Sequence, residues 1–213
     1  GYYNTAVGTF SLDANTTASN NTALGYQSLG ANTTGTQNTA IGAYALDASN
    51  GNYSTAIGVN ALSDNTSGGN NTAVGVQALY RNTTANNNVA IGFRSLDQNT
   101  TGNDNTALGK DSLKANTTGV QNVAVGSLTL DSNTTGLNNV GVGFNTLAGN
   151  TSGNFNVAIG VNALLSITGN SSCTAVGSLT LENNTASLNT AVGFKALRAN
   201  TTASFNTGVG DQA

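Results

Sequence analysis

Asn105-Thr106-Ala107-Leu108-Gly109-Lys110-Asp111-Ser112-Leu113-Lys114-Ala115-Asn116-Thr117-Thr118-Gly119-Val120-Gln121 is one unit of a text that this chain repeats from end to end. Its glycine returns at Gly8, Gly25, Gly42, Gly58, Gly75, Gly92, Gly109, Gly126, Gly143, Gly160, Gly177, Gly193 and Gly210, seventeen residues apart except for two spacings of sixteen. Each unit reads Asn-Thr-Ala-(Val/Ile/Leu)-Gly, two free positions, a small residue, a Leu and two more free positions. Asn-Thr-Thr or Asn-Thr-Ser and a Gly or Ala then follow. Self-similarity at a fixed short period signals stacked repeats, each unit resting on its neighbours. Residues 1–213 therefore read as a single continuous array. The chain has no Met and starts and stops inside the motif, so a fragment of a longer fibre, or a processed product, is expected.

Seventeen residues are too few for a helical hairpin repeat of about 33 residues and fall short of the 20–29 of leucine-rich repeats. They suit one coil of a parallel β-solenoid. Thr-Ala-Val/Ile is short and β-branched, and the glycine and the Asn-Thr-Thr-Gly cluster supply turns. The expectation is an all-β parallel solenoid of about thirteen 17-residue coils, with two short strands and two turns per coil. At about 4.8 Å per coil it is a rod on the order of 60 Å long.

In such a stack, residues one period apart lie above one another, so like charges should not coincide. Asp64 falls beneath Arg81, Arg94 beneath Asp111, Asp97 beneath Lys114, Lys114 beneath Asp131, and Glu182 beneath Arg198. The alternation of sign supports the register; each exposed pair adds at most about 1 kcal/mol.

The columns also separate inside from outside. Leu12, Leu29, Leu46, Leu62, Leu79, Leu96, Leu113, Leu130, Leu147, Leu164, Leu181 and Leu197 form an unvarying ladder, expected to fill the coil core. In the strand, Ala or Gly always holds the middle place, between a Thr or Val and an aliphatic residue. Period-two alternation puts that small residue on the face opposite its neighbours. With Ala inward, the column Val7, Leu24, Ile41, Ile57, Val74, Ile91, Leu108, Val125, Val142, Ile159, Val176, Val192 and Val209 points outward and needs a partner surface. Cyclic association of identical chains supplies one. With the aliphatic residues inward, the coil would be a self-sufficient monomer.

Asn87-Asn88-Val89-Ala90-Ile91-Gly92-Phe93-Arg94-Ser95 resembles the head repeat of YadA-like trimeric autotransporter adhesins, and Phe155-Asn156-Val157-Ala158-Ile159-Gly160 repeats the likeness. Similar Asn-Thr-Ala-Ile-Gly arrays also resemble segments of phage tail fibres. The resemblance implies a left-handed parallel β-roll, three chains wound as a homotrimer with the Val/Ile column at the axis, and an extracellular place on a cell surface or virion fibre. The implied role is structural and adhesive, toward a host-surface or matrix receptor or glycans. The coil here is longer through the Asn-Thr-Thr-Gly insert, and Thr replaces Val at most first strand positions, so no ligand preference carries over.

Catalysis is not expected. There is no His, and the carboxylates are dispersed and mostly faced by cations, so no acid–base pair, triad or metal cluster assembles, and no cofactor is called for. Asp13, Asp47, Asp97 and Asp131 share a column that Gly30, Ser63, Tyr80 and Lys114 interrupt, unlike the regular Asp of calcium-binding repeats. A net charge of −3 with six scattered Lys and Arg offers no stripe for nucleic acid, and no apolar run approaches a membrane span. Cys173, the lone cysteine, takes a place usually held by Asn and reads as a small semi-buried residue. Leu164-Leu165-Ser166-Ile167-Thr168-Gly169-Asn170 is the most irregular stretch and reads as structural drift.

Asn15, Asn32, Asn65, Asn82, Asn99, Asn116, Asn133, Asn150 and Asn200 each open an N-glycosylation sequon, as do Asn52 and Asn170, which places them in surface turns. The structural counterpart is a stacked amide ladder needing no sugar. A glycosylated filament joined end to end remains an alternative assembly. Threonine columns through Thr83, Thr100 and Thr117, and through Thr5, Thr22 and Thr39, raise a different alternative, an ice-binding solenoid that orders water. The second column is broken by Val89, Val123, Val140 and Val157, and adjacent threonines in an extended chain point to opposite sides.

Overall fold

A computed structural model describes all residues, 1–213. Thirteen three-residue strands form one parallel sheet in sequence order: β1 (Thr5–Val7), β2 (Thr22–Leu24), β3 (Thr39–Ile41), β4 (Thr55–Ile57), β5 (Thr72–Val74), β6 (Val89–Ile91), β7 (Thr106–Leu108), β8 (Val123–Val125), β9 (Val140–Val142), β10 (Val157–Ile159), β11 (Thr174–Val176), β12 (Thr190–Val192) and β13 (Thr207–Val209). There is no helix. Every strand pairs with the next in the register of the repeat: Ala90 lies over Ala107, and Ile91 over Leu108. The chain is thus a β-solenoid in which one coil is one period.

The second strand expected in each coil is absent. The backbone leaves the extended region immediately after each strand and runs through consecutive turns. Around Gly92, at φ 134°, Arg94 (φ 51°), Leu96 (φ 55°) and Asp104 (φ 59°) are all left-handed, and the same three places recur along the chain. For a non-glycine residue this conformation costs roughly 1–2 kcal/mol. The stacking offsets it, because amides in turns bond to the neighbouring coil as regularly as those in strands. Of 130 backbone hydrogen bonds, 106 lie outside the strand ladders. Leu113 N donates to Thr129 O at 3.0 Å and Asp111 N to Phe93 O at 2.9 Å, one coil forward and one coil back.

Inside, the Leu ladder fills the coil as expected. Leu29 through Leu181 are fully buried, Leu12 nearly so, and Leu197 partly so at the last coil. The strand alanines, Ala23 to Ala191, face these leucines and are also fully buried. Their small size lets the sheet approach the ladder, which settles the orientation of the strand: alanine inward, aliphatic residues outward.

The other half of the interior is polar. Asn65, Asn82, Asn99, Asn116, Asn133 and Asn150 are fully buried, each Nδ2 after the first donating to the Oδ1 one coil earlier at 2.9–3.0 Å. A second buried ladder stands just before the strands: Asn88 Oδ1 accepts from Asn105 N at 2.9 Å, and Asn105 Oδ1 from Asn122 N at 3.0 Å. The two ladders meet on one carbonyl per coil. Gly102 O accepts from Asn99 Nδ2 at 2.9 Å and from Asn88 Nδ2 at 3.0 Å. Buried amides are tolerated because nearly all of their polar atoms are bonded.

Both ladders are interrupted together. Ser49 and Ser54 replace the two asparagines in one coil, Ile167 and Cys173 in another, and all four are buried. Asn32 and Asn150, just below these breaks, turn Oδ1 to the N–H of Gly35 and Gly153 in their own coil. The coil containing Ser49 is also one residue short, and Asn50 Oδ1 compensates by accepting from Thr33 N at 2.9 Å and Thr33 Oγ1 at 2.8 Å. The Leu164–Asn170 stretch keeps the regular path, with Ile167 packed in the core and Cys173 Sγ donating to Ala186 O at 3.2 Å.

Candidate functional site

The sequons are corrected by this interior. Asn32, Asn65, Asn82, Asn99, Asn116, Asn133 and Asn150 are wholly buried, and Asn15 and Asn200, in the terminal coils, are half-buried. The amide nitrogens of the seven buried ones are bonded inside the coil, to the ladder or to a carbonyl of their own turn, so the folded coil has no room for a glycan on them. The signal was misread because Asn-Thr-Thr is polar by composition, whereas in a stack the bend turns its first residue inward. Asn52 is exposed, as are Asn20, Asn70 and Asn183, which open Asn-Asn-Thr sequons.

The threonines that follow sit on the outside of that bend. Thr84 and Thr101 are exposed and Thr83 and Thr100 half-buried, so the two members of each pair do not point to opposite sides. Thr83 Oγ1 donates to Thr100 O at 2.9 Å and Thr100 Oγ1 to Thr117 O at 3.0 Å, which fixes the inner rank.

Of the five charge pairs in register, two close. Arg94 Nε lies 3.0 Å from Asp111 Oδ1, and Arg198 Nε 2.5 Å from Glu182 Oε2. Asp64 with Arg81, and Lys114 with Asp97 and Asp131, are not ion-paired. Burial raises the carboxyl pKa of Asp47, of Asp64 (partly countered by Arg81) and of Asp131 (partly countered by Ser132 and Lys114). A carboxyl with a raised folded-state pKa takes up a proton on folding, so its contribution to stability is full below the unfolded value and is lost as pH rises through the folded one. The thermal midpoint is therefore expected to rise on acidification from neutrality to about pH 4. The Asp64→Asn/Asp131→Asn double variant should flatten that slope, as read by circular dichroism melts across the range.

The broadest chemically distinct surface is the outer face of the sheet. Leu24, Ile57, Ile91, Leu108, Ile159 and Val192 are 37–47% exposed although they lie in a continuous column. Ile41, Val74, Val125, Val142 and Val176 are half-buried, shielded only by their neighbours, and Val7 and Val209 at the ends are the most open of the column. Beside them run Tyr26, Val59, Val76, Phe93, Phe144, Val161 and Phe194, all exposed. Arg94 lies 4.9 Å from the ring centroid of Phe93 and Lys195 lies 4.7 Å from that of Phe194, so the band is edged by cations stacked on its aromatics. The apolar strip is thirteen strands long, whereas apolar residues on soluble monomers are usually scattered singly.

No family model, curated protein or solved structure matches the chain. The reading of this face rests on its own geometry.

Proposed function

We propose that the chain is a rod-like structural and adhesive segment of an extracellular fibre, in which copies of the chain associate through the outward aliphatic column. The carrying observation is that column itself: the Val, Ile or Leu that ends each of the thirteen strands faces away from the Leu ladder, onto one side of the sheet. Three chains around one axis is the closed arrangement that the adhesin resemblance implies, and cyclic symmetry lets identical strips meet. Function then lies in rigid presentation and not in turnover. Many weak contacts on the remaining faces act together because the rod holds them at fixed spacing.

The native mass of the chain, by light scattering or native mass spectrometry, tests the association. Three chains are expected. Replacing Val125 and Val142 by Lys puts two charges into the strip without touching the coil interior, so the variant is expected to run as a folded single chain with an unchanged circular dichroism spectrum. A wild-type monomer, or a variant that assembles as before, would overturn the assignment.

The fixed and exposed threonine ranks favour a second reading, an ice-binding face with one hydroxyl rank per coil. Thermal hysteresis measured on the same sample decides it: absence of activity removes this reading, and activity that survives bulky replacements of Thr83, Thr100 and Thr117 removes it from this face.

A further inference from the structure

We infer that a cleft over Gly30 binds a neutral pyranose sugar. The cleft is an open groove of about 400 Å³ that spans the first three coils, lined by Phe10, Asp13, Gln27, Gly30, Asp47 and two alanines. It exists because Gly30 is the only glycine in a column otherwise filled by side chains such as Asp13, Asp47, Tyr80 and Asp97. Asp47 leans into the space so released: a Cβ on Gly30 would stand 2.7 Å from Asp47 Oδ1.

Three properties of the lining point to a sugar. The first is an aromatic platform. Phe10 packs edge-on against Tyr26 at 6.0 Å between centroids, and Tyr26 against Tyr44 at 5.3 Å, which fixes the Phe10 ring beside the cleft while leaving it half exposed. Ring faces of this kind take the C–H face of a pyranose. The second is free acceptor capacity. Asp97, Asp111, Asp131 and Glu182 each hold a side-chain partner. Asp13 and Asp47 hold none, so their oxygens are open to hydroxyl donors, and Gln27 adds an amide. The third is charge. No Lys or Arg precedes Arg81, so two uncompensated carboxylates repel uronic and sialic acids and select neutral sugars. A cleft of this volume with a few convergent polar groups matches the general form of a small-ligand site.

No residue of the outward aliphatic column lines the cleft, which lies beside the band: its Phe10 packs on Tyr26. The inference deepens the adhesive reading by giving it a ligand class, and its test is independent of assembly. Saturation-transfer NMR on the full chain, with methyl β-glucoside, methyl β-galactoside, cellobiose and lactose as probes and glucuronate as the anionic control, is expected to show transfer to ring C–H groups of a neutral sugar only. Phe10→Ala and Asp47→Asn should each weaken binding by about tenfold or more. Gly30→Tyr copies the residue that Tyr80 contributes to the same column, so it should fold normally and abolish binding. No transfer to any neutral probe, equal transfer to glucuronate, or a Gly30→Tyr variant that binds like the wild type would each overturn the site. None of these outcomes bears on the native mass, which tests the fibre reading separately.

Discussion

Replacing Gly92 by Ala is expected to lower unfolding stability by roughly 2–6 kcal/mol, the sum of a strained backbone and an overpacked contact. Gly92 has φ 134°, a conformation that side chains rarely adopt, and its missing Cβ would lie 2.5 Å from Gly109 O and 2.7 Å from Gly109 C. Both obstacles are backbone, and the carbonyl that would have to move accepts from Ser112 N at 3.4 Å and Ser112 Oγ at 3.0 Å in its own turn. Because each coil touches only its neighbours, the damage should centre on β6 and β7. Hydrogen exchange should quicken there first, and the denaturant midpoint should fall. Gly169→Ala is the control. Its Cβ would meet only Ser152 Oγ, at 3.2 Å, its column carries Thr118, Thr135 and Ser152 in the coils before it, and its φ is not left-handed, so a loss below about 1 kcal/mol is expected. Equal losses at the two positions would mean that backbone conformation is not what demands glycine after the strand.

The second large effect is expected at Asn116. Its Nδ2 donates to Asn99 Oδ1 at 2.9 Å and Gly119 O at 3.0 Å, and its Oδ1 accepts from Asn133 Nδ2 at 2.9 Å. Asn116→Ile strands the facing groups of Asn99 and Asn133 in the interior, at about 1–3 kcal/mol for each unsatisfied group. The chain already carries the remedy. Where Ile167 interrupts the same ladder, Cys173 interrupts the other, and Asn150 turns its oxygen to Gly153 N at 3.0 Å. Adding Asn122→Cys to Asn116→Ile copies that pair, so the double variant should lose less than the sum of the single variants. A coupling of about 0.5–3 kcal/mol in a double-mutant cycle is the expected size. Strict additivity would show that the paired substitution in the Ile167 coil is coincidence and not mutual accommodation.

The interior asparagines mark the limit of what the repeat could say about the site. The Leu ladder was readable because its leucine never varies, and the opposition of the strand's small middle residue to its aliphatic end because residues in a strand obey period two. The amide ladder of Asn99 and Asn116 was readable too, but its burial was not, because a polar side chain in a turn is usually solvated. Only the meeting of two ladders on carbonyls such as Gly102 O makes their burial affordable. The left-handed leucines escaped for a similar reason. Leucine ordinarily avoids that conformation, and Leu96 adopts it because the coil above and the coil below hold its backbone in place. The cleft over Gly30 escaped because its parts lie far apart in sequence: Phe10, Gln27 and Asp47 belong to three coils and meet only through stacking.

The sequence by itself determined the period, the one-coil register and therefore the parallel solenoid, because identical units can satisfy their backbone only on copies of themselves. It also reduced the strand to two orientations, alanine inward or aliphatic residue inward, and the packing of Ala23 to Ala191 against the Leu ladder decided for the first. The tertiary structure alone decided that each coil has one strand and not two, that the turn asparagines are core residues, and that only two of the charge pairs close. Those outcomes depend on where the chain bends between the repeats of the motif. That path is set by hydrogen bonds from coil to coil, at a range that residue type and spacing do not encode.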